Sequence, residues 1–212
     1  MEKILVVGAT GTTGNKVVDI LNKDQNYEPI AMVRKKQQQA NFEQQGIKTI
    51  LGDLTQDVSH TTQGIDKVIF AAGSKGKALD KVDRKGAMKI VDASKKNKVQ
   101  KLVMLSSIGA DAPQQSDDLQ DYLQAKQDAD EYLANSGLNF TIVRPGTLSN
   151  QVPTGKIRLA EHLDTKNGEI PRGDVAKVLV NSLKDTIANR NVFEILNGEH
   201  HIEEAMSAVQ TS

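Results

Sequence analysis

The segment Ile4-Leu5-Val6-Val7-Gly8-Ala9-Thr10-Gly11-Thr12-Thr13-Gly14 decides the fold of this 212-residue chain. Its first four residues form a continuous apolar run rich in β-branched side chains, which is typical of a strand buried on both faces of a sheet. A glycine-rich turn follows at once, and apolar residues then recur at helical spacing from Val17 to Leu21. The segment therefore predicts a buried strand, a tight turn and a helix in succession.

The same alternation of apolar runs and amphipathic stretches continues along the chain. Further strands are predicted at 29–33, 47–51, 67–70, 101–105 and 140–143, with helices at 35–45, 79–93 and 119–134. Strands joined by helices of this length require right-handed crossovers and a parallel sheet covered on both faces. We therefore expect a doubly wound α/β fold of three layers, α/β/α, known as the Rossmann fold.

After residue 150 the pattern is looser. Strands are predicted at 156–159 and 192–196, and helices at 174–183 and 202–209. A chain of 212 residues is the size of one domain. We therefore expect residues 1–212 to form a single Rossmann domain, with residues 151–200 as a small region for substrate recognition and capping.

Composition excludes several classes of function. The 27 Lys and Arg residues balance 27 Asp and Glu, so no overall field attracts nucleic acid or an anionic membrane. Aromatic residues make up only 3% of the chain, and cysteine is absent, which excludes disulfides and thiol chemistry. No apolar run approaches the ~20 residues of a membrane helix, and the first begins at Ile4, so we expect a cytoplasmic protein without a signal peptide.

The glycines of the first turn are Gly8, Gly11 and Gly14. A turn of this kind lets backbone N–H groups and the positive end of a helix face a pyrophosphate. The spacing G-x-x-G-x-x-G is weak alone, but here it lies between a strand and a helix. We predict a dinucleotide site that also includes Thr10, Thr12 and Thr13; the alternative is a flexible turn with a helix-starting threonine.

The choice of cofactor depends on the end of the second strand. An acidic residue there binds the ribose hydroxyls of NAD, whereas a basic residue accommodates the 2′-phosphate of NADP. Arg34 occupies this position, and neither neighbour is acidic. NADP is therefore favoured over NAD, unless Arg34 is only a solvated cation at the start of a polar helix.

Two further strand ends lie at the same edge of the predicted sheet, where ligands collect in such folds. Asp53 and Leu54 follow the third strand, and the Asp53 carboxylate could accept a hydrogen bond from the adenine amino group; a plain aspartate turn is the alternative. The small residues Ala71, Ala72 and Gly73 follow the fourth strand and leave space for a ribose.

These features resemble the short-chain dehydrogenase/reductase superfamily, in particular its atypical compact NAD(P)-binding branch of NmrA-like and epimerase/dehydratase-like proteins. The resemblance spans most of the chain. It rests on the glycine turn, Gly52-Asp53-Leu54, Ala71-Ala72-Gly73, Leu105-Ser106-Ser107, Tyr122-Leu123-Gln124-Ala125-Lys126 and Val143-Arg144-Pro145-Gly146. It implies catalytic roles for Tyr122, Lys126 and Ser106, cofactor contacts at Ser106, Lys126 and Pro145, and a homodimer.

The predicted chemistry also follows from spacing. Residues four apart share a helix face, so the Lys126 ammonium can lie near the Tyr122 phenol and favour the phenolate. Tyr122 would exchange a proton with a substrate oxygen, and Ser106 would hydrogen-bond the same oxygen while hydride moves to or from the nicotinamide. The alternative is a chance pair in which Tyr122 borders the core and Ser106 simply ends a strand.

The resemblance also implies an asparagine on the helix after the fourth strand, but Asp83 stands at that position. This departure puts the family's relay of protons through water and lysine in doubt. The Asp83 carboxylate could accept a proton or pair with Lys126, or it could be a surface charge beside Arg84 and Lys85.

Other constellations are weaker, and no metal site is predicted. His200 and His201 are adjacent, with Glu203 and Glu204 nearby, but adjacent histidines seldom converge on one ion. His60 and His162 each stand alone in the sequence. A hydrolase triad is discarded because residues 105–109 lack the G-x-S-x-G elbow.

The sequence therefore predicts an NADP-dependent oxidoreductase of the atypical short-chain type, acting on a small carbonyl or quinone-like substrate. The region after residue 150 is short for recognising a nucleotide-sugar, although epimerase or dehydratase chemistry stays open. The resemblance to NmrA-like proteins also implies another alternative, a non-catalytic NADP(H)-binding sensor. A scaffold that binds no nucleotide is the third.

Overall fold

A computed structural model of the protein describes residues 1–74, 76–165 and 167–209. The strands are β1 (Glu2–Val7), β2 (Tyr27–Val33), β3 (Lys48–Leu51), β4 (Lys67–Phe70), β5 (Lys101–Leu105), β6 (Phe140–Pro145), β7 (Thr147–Ser149), β8 (Lys156–Ala160), β9 (Glu169–Pro171), β10 (Asn191–Asn197) and β11 (His200–His201). The α-helices are α1 (Thr12–Lys23), α2 (Lys36–Glu43), α3 (Lys85–Lys96), α4 (Gln120–Ala134), α5 (Arg172–Asn181) and α6 (Ile202–Ser207).

The main sheet has the strand order β11-β8-β10-β6-β5-β4-β1-β2-β3. The strands from β10 to β3 in this order pair in parallel, whereas β8 pairs antiparallel with both of its neighbours, β10 and β11. The chain reverses its direction of winding at β1, which pairs with β2 on one side and β4 on the other. The prediction of a doubly wound parallel sheet is confirmed, and a crevice for ligands is expected above this switch point.

Alternating residues of the central strands supply the two halves of the core. Ile4 and Val6 pack with α1 and α5 on one face, while Leu5 and Val7 pack with α3 and α4 on the other. All four side chains are buried, which explains why β1 reads as a continuous apolar run. The carboxyl end of β1 is thus held firmly where the glycine turn begins.

Two buried lysines fasten the opposite, amino-terminal edge of the sheet. Lys67 and Lys101 are register partners on β4 and β5, and each is 1% exposed or less. The Lys67 ammonium pairs with Glu2 at 2.9 Å and with Asp185 at 2.8 Å, and it donates to a backbone carbonyl after α5. The Lys101 ammonium donates to two carbonyls of the same segment, at 2.7 and 3.1 Å. The lysines thereby tie the end of α5 to the sheet.

The structure departs from the predicted elements at several points. The short strands β7, β9 and β11 were not predicted, because two or three residues carry too little periodicity to detect. The predicted helix 79–93 begins as a π-helical turn, Leu79–Arg84, before α3. Within residues 151–200, β10 pairs with β6 and extends the main sheet, so part of this region belongs to the sheet itself.

Among the described residues, no helix is both long enough and apolar enough to cross a membrane.

Candidate cofactor and substrate site

The glycine turn after β1 is too tight for side chains at two of its glycines. Gly8 has φ +90°, and a Cβ there would lie 2.6 Å from the backbone nitrogen of Ala72. A Cβ on Gly14 would lie 2.2 Å from the Gly8 carbonyl oxygen. The Gly11 N–H donates to that same oxygen at 2.9 Å, and a Cβ on Gly11 would be 3.2 Å from it. The turn therefore presents bare backbone at the carboxyl edge of the sheet, next to the strand end that carries Ala71 and Ala72.

The amino terminus of α1 follows this turn at the carboxyl edge of the sheet, with its N–H groups free of side-chain caps. The helix begins at Thr12, Gly11 caps it without a side-chain hydrogen bond, and its first turn contains no acidic residue. Thr10, Gly11 and Thr12 are exposed, whereas Thr13 is buried. Uncapped N–H groups at the positive end of a helix suit a diphosphate, so the chain's residues fit a dinucleotide at this place.

Arg34 and Asp53 follow β2 and β3, which are neighbours in the sheet. Arg34 is exposed directly after β2. The Asp53 carboxylate accepts the backbone N–H and the hydroxyl of Thr55, each at 2.8 Å. These bonds hold the pKa of Asp53 below its usual value, and the Arg34 charge adds to the effect. Asp53 therefore forms an aspartate turn, the alternative that the sequence left open, while Leu54 beside it is buried in the core.

Tyr122 and Lys126 lie one turn apart on α4, as predicted. The Lys126 ammonium is 5.8 Å from the centroid of the Tyr122 ring, and it donates to the Leu105 carbonyl at 3.1 Å. Lys126 is buried, whereas Tyr122 is half-buried. The carbonyl at the end of β5 thus fixes the lysine beside the tyrosine ring.

Ser106 faces a buried carboxylate that the sequence reasoning missed. Its hydroxyl donates to the Asp130 Oδ2 atom at 2.8 Å, and the Arg144 Nε atom donates to the same oxygen at 3.0 Å. Asp130 is 2% exposed, and burial raises its pKa against the opposing effects of Arg144 and Ser106. Its place four residues after Lys126 on α4 was the available signal, since the two share a helix face.

Ser107, next along the chain, is half-buried, and its hydroxyl donates to the Ile108 carbonyl at 3.2 Å. Ser106 is thus the positioned member of the serine pair, and Ser107 is the more accessible one.

Asp83 lies in the π-helical turn before α3 and is only 1% exposed. Its carboxylate accepts the Ser74 N–H, at 3.1 Å to Oδ2, and a Cβ on Gly73 would be 3.4 Å from Oδ1. Asp83 is therefore not the surface charge that its neighbours suggested. It holds the segment after β4 that contains Ala71, Ala72 and Gly73, through the Ser74 N–H.

His162 was predicted to stand alone, and the structure shows that it does not. It lies beside Asp111 and Glu194, and one possible ligand atom from each of these residues lies within 4.8 Å of the others. The three residues come from distant parts of the sequence, so spacing could not have revealed them. His60, by contrast, has its Nε2 atom 2.8 Å from the Leu51 carbonyl oxygen.

The family model described as NAD(P)H-binding matches residues 8–186. The chain belongs to the NAD(P)H-binding family. The match begins at Gly8 and includes the glycine turn, the Tyr122–Lys126 pair and the end of β6 at Pro145. The resemblance to compact NAD(P)-binding proteins, inferred from the motifs, is therefore confirmed.

Relatives of similar length cover nearly the whole chain. An uncharacterized sugar epimerase of Bacillus subtilis is 34% identical, over 96% of this chain and 98% of its own. Among solved structures, a candidate NAD-dependent epimerase/dehydratase of Bacillus halodurans is 36% identical, with a TM-score of 0.90 and coverage of 95% and 97%. The oxidoreductase ylbE of Lactococcus lactis is 31% identical, with a TM-score of 0.84 and coverage of 96% and 94%.

A reductase is also among the relatives. The NAD(P)H azoreductase of Xenophilus azovorans is 31% identical over 68% of this chain and 47% of its own length. The chain is thus a member of an NAD(P)H-binding oxidoreductase family that includes reductases.

Proposed function

We propose that the protein is an NADP-dependent reductase of a small carbonyl or quinone-like compound. The observation that carries the proposal is the Tyr122–Lys126 pair, held at the end of β5 by the bond from Lys126 to the Leu105 carbonyl. Such a pair provides a proton donor beside a fixed positive charge. A nicotinamide cofactor, when bound, supplies the hydride.

In this proposal the cofactor's diphosphate lies against the glycine turn and the first turn of α1, with Thr10, Thr12 and Thr13 around it. The backbone at Asp53 and Leu54 borders the adenosine half, since the Leu54 side chain lies in the core, and Ala71, Ala72 and Gly73 leave room for a ribose. Pro145 borders the nicotinamide half from β6. This placement is supported by the bare backbone of Gly8 and Gly14 and by the uncapped amino terminus of α1.

Tyr122 gives a proton to the substrate oxygen, and Lys126 stabilises the phenolate that remains. Ser106 is a positioning residue in this proposal, because its hydroxyl donates a hydrogen bond to the buried Asp130 carboxylate. Asp83 is also a positioning residue, because its carboxylate accepts the Ser74 N–H and so holds the backbone after β4. The proton balance is complete when the phenolate is protonated again from solvent.

The Tyr122→Phe variant tests the catalytic part of the proposal. Turnover of a panel of quinones, aldehydes and flavins with NADPH should fall at least ~100-fold, the usual range for loss of a general acid. NADPH affinity should stay within about threefold, since the phenylalanine keeps the ring. Tyr132→Phe is the matched control, because Tyr132 lies on the same helix but donates to Asp92 at 2.7 Å on the helix surface.

Three results would contradict this function. Equal loss in both tyrosine variants would remove the special role of Tyr122. Tight NADP binding without turnover of any panel member by the unmodified protein would instead support a sensor. Interconversion of a nucleotide-sugar, with the cofactor regenerated, would support epimerase chemistry.

The preference for NADP rests on Arg34, the basic side chain exposed where β2 ends. A charge-assisted hydrogen bond contributes about 1.5–3 kcal/mol, so Arg34→Asp should weaken NADPH binding about 10–150-fold. NADH binding should change less than about threefold. Lys95→Asp makes the same charge reversal at the far end of α3, and it should alter neither affinity. Calorimetric titration of both cofactors checks this, and equal losses for NADPH and NADH would refute the role of Arg34.

A further inference from the structure

Asp111, His162 and Glu194 form a cluster that the proposed reductase chemistry does not use. Asp111 lies in the loop after β5, His162 follows β8, and Glu194 is in the middle of β10. The His162 Nδ1 atom is 3.6 Å from the Asp111 Oδ2 atom, and possible ligand atoms of all three residues lie within 4.8 Å of one another. The fold thus brings one imidazole and two carboxylates to one point.

Glu194 supplies an independent indication that this cluster has a ligand. It is only 1% exposed, and its Oε2 atom accepts the Leu163 N–H at 2.8 Å. Its Oε1 atom is buried and has no hydrogen-bond partner among residues 1–74, 76–165 and 167–209. A buried carboxylate oxygen without a partner is costly, and buried carboxylates are normally paired or bound to metal.

We propose that Asp111, His162 and Glu194 bind a divalent first-row transition ion. Bonds of about 2.0–2.2 Å place neighbouring ligand atoms about 3–3.5 Å apart, so the existing separations need only a small closure. His162 can make that movement because 64% of its side chain is exposed. The bond from the Leu163 N–H orients Glu194, as outer-shell bonds do in metal sites.

The donor set indicates the class of ion. One imidazole nitrogen with two carboxylates suits zinc, cobalt, iron or manganese, whereas calcium and magnesium favour oxygen ligands alone. Three protein ligands leave coordination positions for water. The ion would also join the loop after β5 to the 151–200 region, because Asp111 belongs to the first and the other two ligands to the second.

Titration of the chelator-treated full chain with Co²⁺ tests the site. We expect one equivalent to bind with visible d–d absorption, and Zn²⁺ to abolish that absorption by displacement. At an ion concentration a hundred times the Kd, the Tm should rise by about 5–10 °C, since the ion binds only the folded chain.

The His162→Ala variant should lose at least ~10-fold in Co²⁺ affinity, and it should fold normally because His162 is exposed. Glu194→Gln should lose as much while circular dichroism verifies its fold. His201→Ala is the matched control, since His201 is an exposed histidine on β11, and it should bind Co²⁺ as the unmodified protein does. The proposal is overturned if no saturable binding occurs, or if His162→Ala binds Co²⁺ unchanged. Neither result bears on NADPH binding, which is measured separately on the same samples.

Discussion

Alanine substitutions in the glycine turn separate the steric role of each glycine. The three positions share one turn but differ in the space around a new Cβ: 2.2 Å from the nearest backbone atom at Gly14, 2.6 Å at Gly8 and 3.2 Å at Gly11. Contacts below about 3 Å do not occur between such atoms without movement. Gly14→Ala and Gly8→Ala must therefore displace backbone, whereas Gly11→Ala requires only a few tenths of an ångström.

The magnitudes follow from these distances. In Gly14→Ala the Gly8 carbonyl must move by about 1 Å, and a misplacement of this size can cost ~100-fold in a positioned site. Gly8→Ala adds the cost of its φ of +90°, about 1–2 kcal/mol for a residue with a side chain. Alanine is otherwise favoured over glycine in a helix by about 1 kcal/mol, so a loss at Gly14, inside α1, would run against helix propensity.

Calorimetric titration with NADPH and urea denaturation measure the two effects. Gly8→Ala and Gly14→Ala should each weaken NADPH binding at least ~100-fold and lower the free energy of unfolding. Gly11→Ala should change the free energy of unfolding by less than about 1 kcal/mol. If Gly14→Ala binds NADPH as tightly as the unmodified protein, the glycine turn is not the diphosphate site and the reasoning fails.

Two further predictions concern buried charges. Asp130→Ala leaves Arg144 buried without its partner, so urea denaturation should show a free energy of unfolding lower by about 3–5 kcal/mol. The control Asp128→Ala breaks a more exposed pair of the same helix and should cost less than about 1 kcal/mol. Equal losses in the two variants would contradict the importance of the buried pair. Burial lowers the pKa of Lys101 to about 8, so the unfolded chain, with a lysine pKa near ~10.4, binds more protons between these values. The contribution of Lys101 to the free energy of unfolding is therefore fully present above pH ~10.4 and is lost as the pH falls to about 8. The free energy of unfolding of the unmodified protein, relative to Lys101→Met, should rise by up to ~3 kcal/mol over that range, and a constant difference would contradict the shift.

Several features of the site could be predicted from the sequence because they depend only on residues close to one another along the chain. The glycine turn needs only a strand before it and a helix after it, and residues 4–21 contain all three. The Tyr122–Lys126 pair needs only a helix, since four residues bring side chains to one face. The basic residue at the end of β2 needs only the position of a strand end.

Other features depend on which distant segments become neighbours. Asp130 meets Ser106 and Arg144 only once α4 has packed beside β5 and β6; its spacing from Lys126 places it on the same helix face but does not reveal these two partners. From the sequence, the Asp53 carboxylate could bind either a ligand or its own turn. The backbone after β3 brings Thr55 within reach, and the carboxylate accepts the Thr55 N–H and hydroxyl.

The sequence by itself determined the parallel sheet, its layers and the position of the glycine turn, because hydrophobic period and glycine placement act within a few residues. The tertiary structure alone decided that β10 lies beside β6 and that Glu194 is buried next to His162 and Asp111. The physical reason is that strand order is set by packing of the whole domain, and side chains far apart in sequence meet only after that order is established.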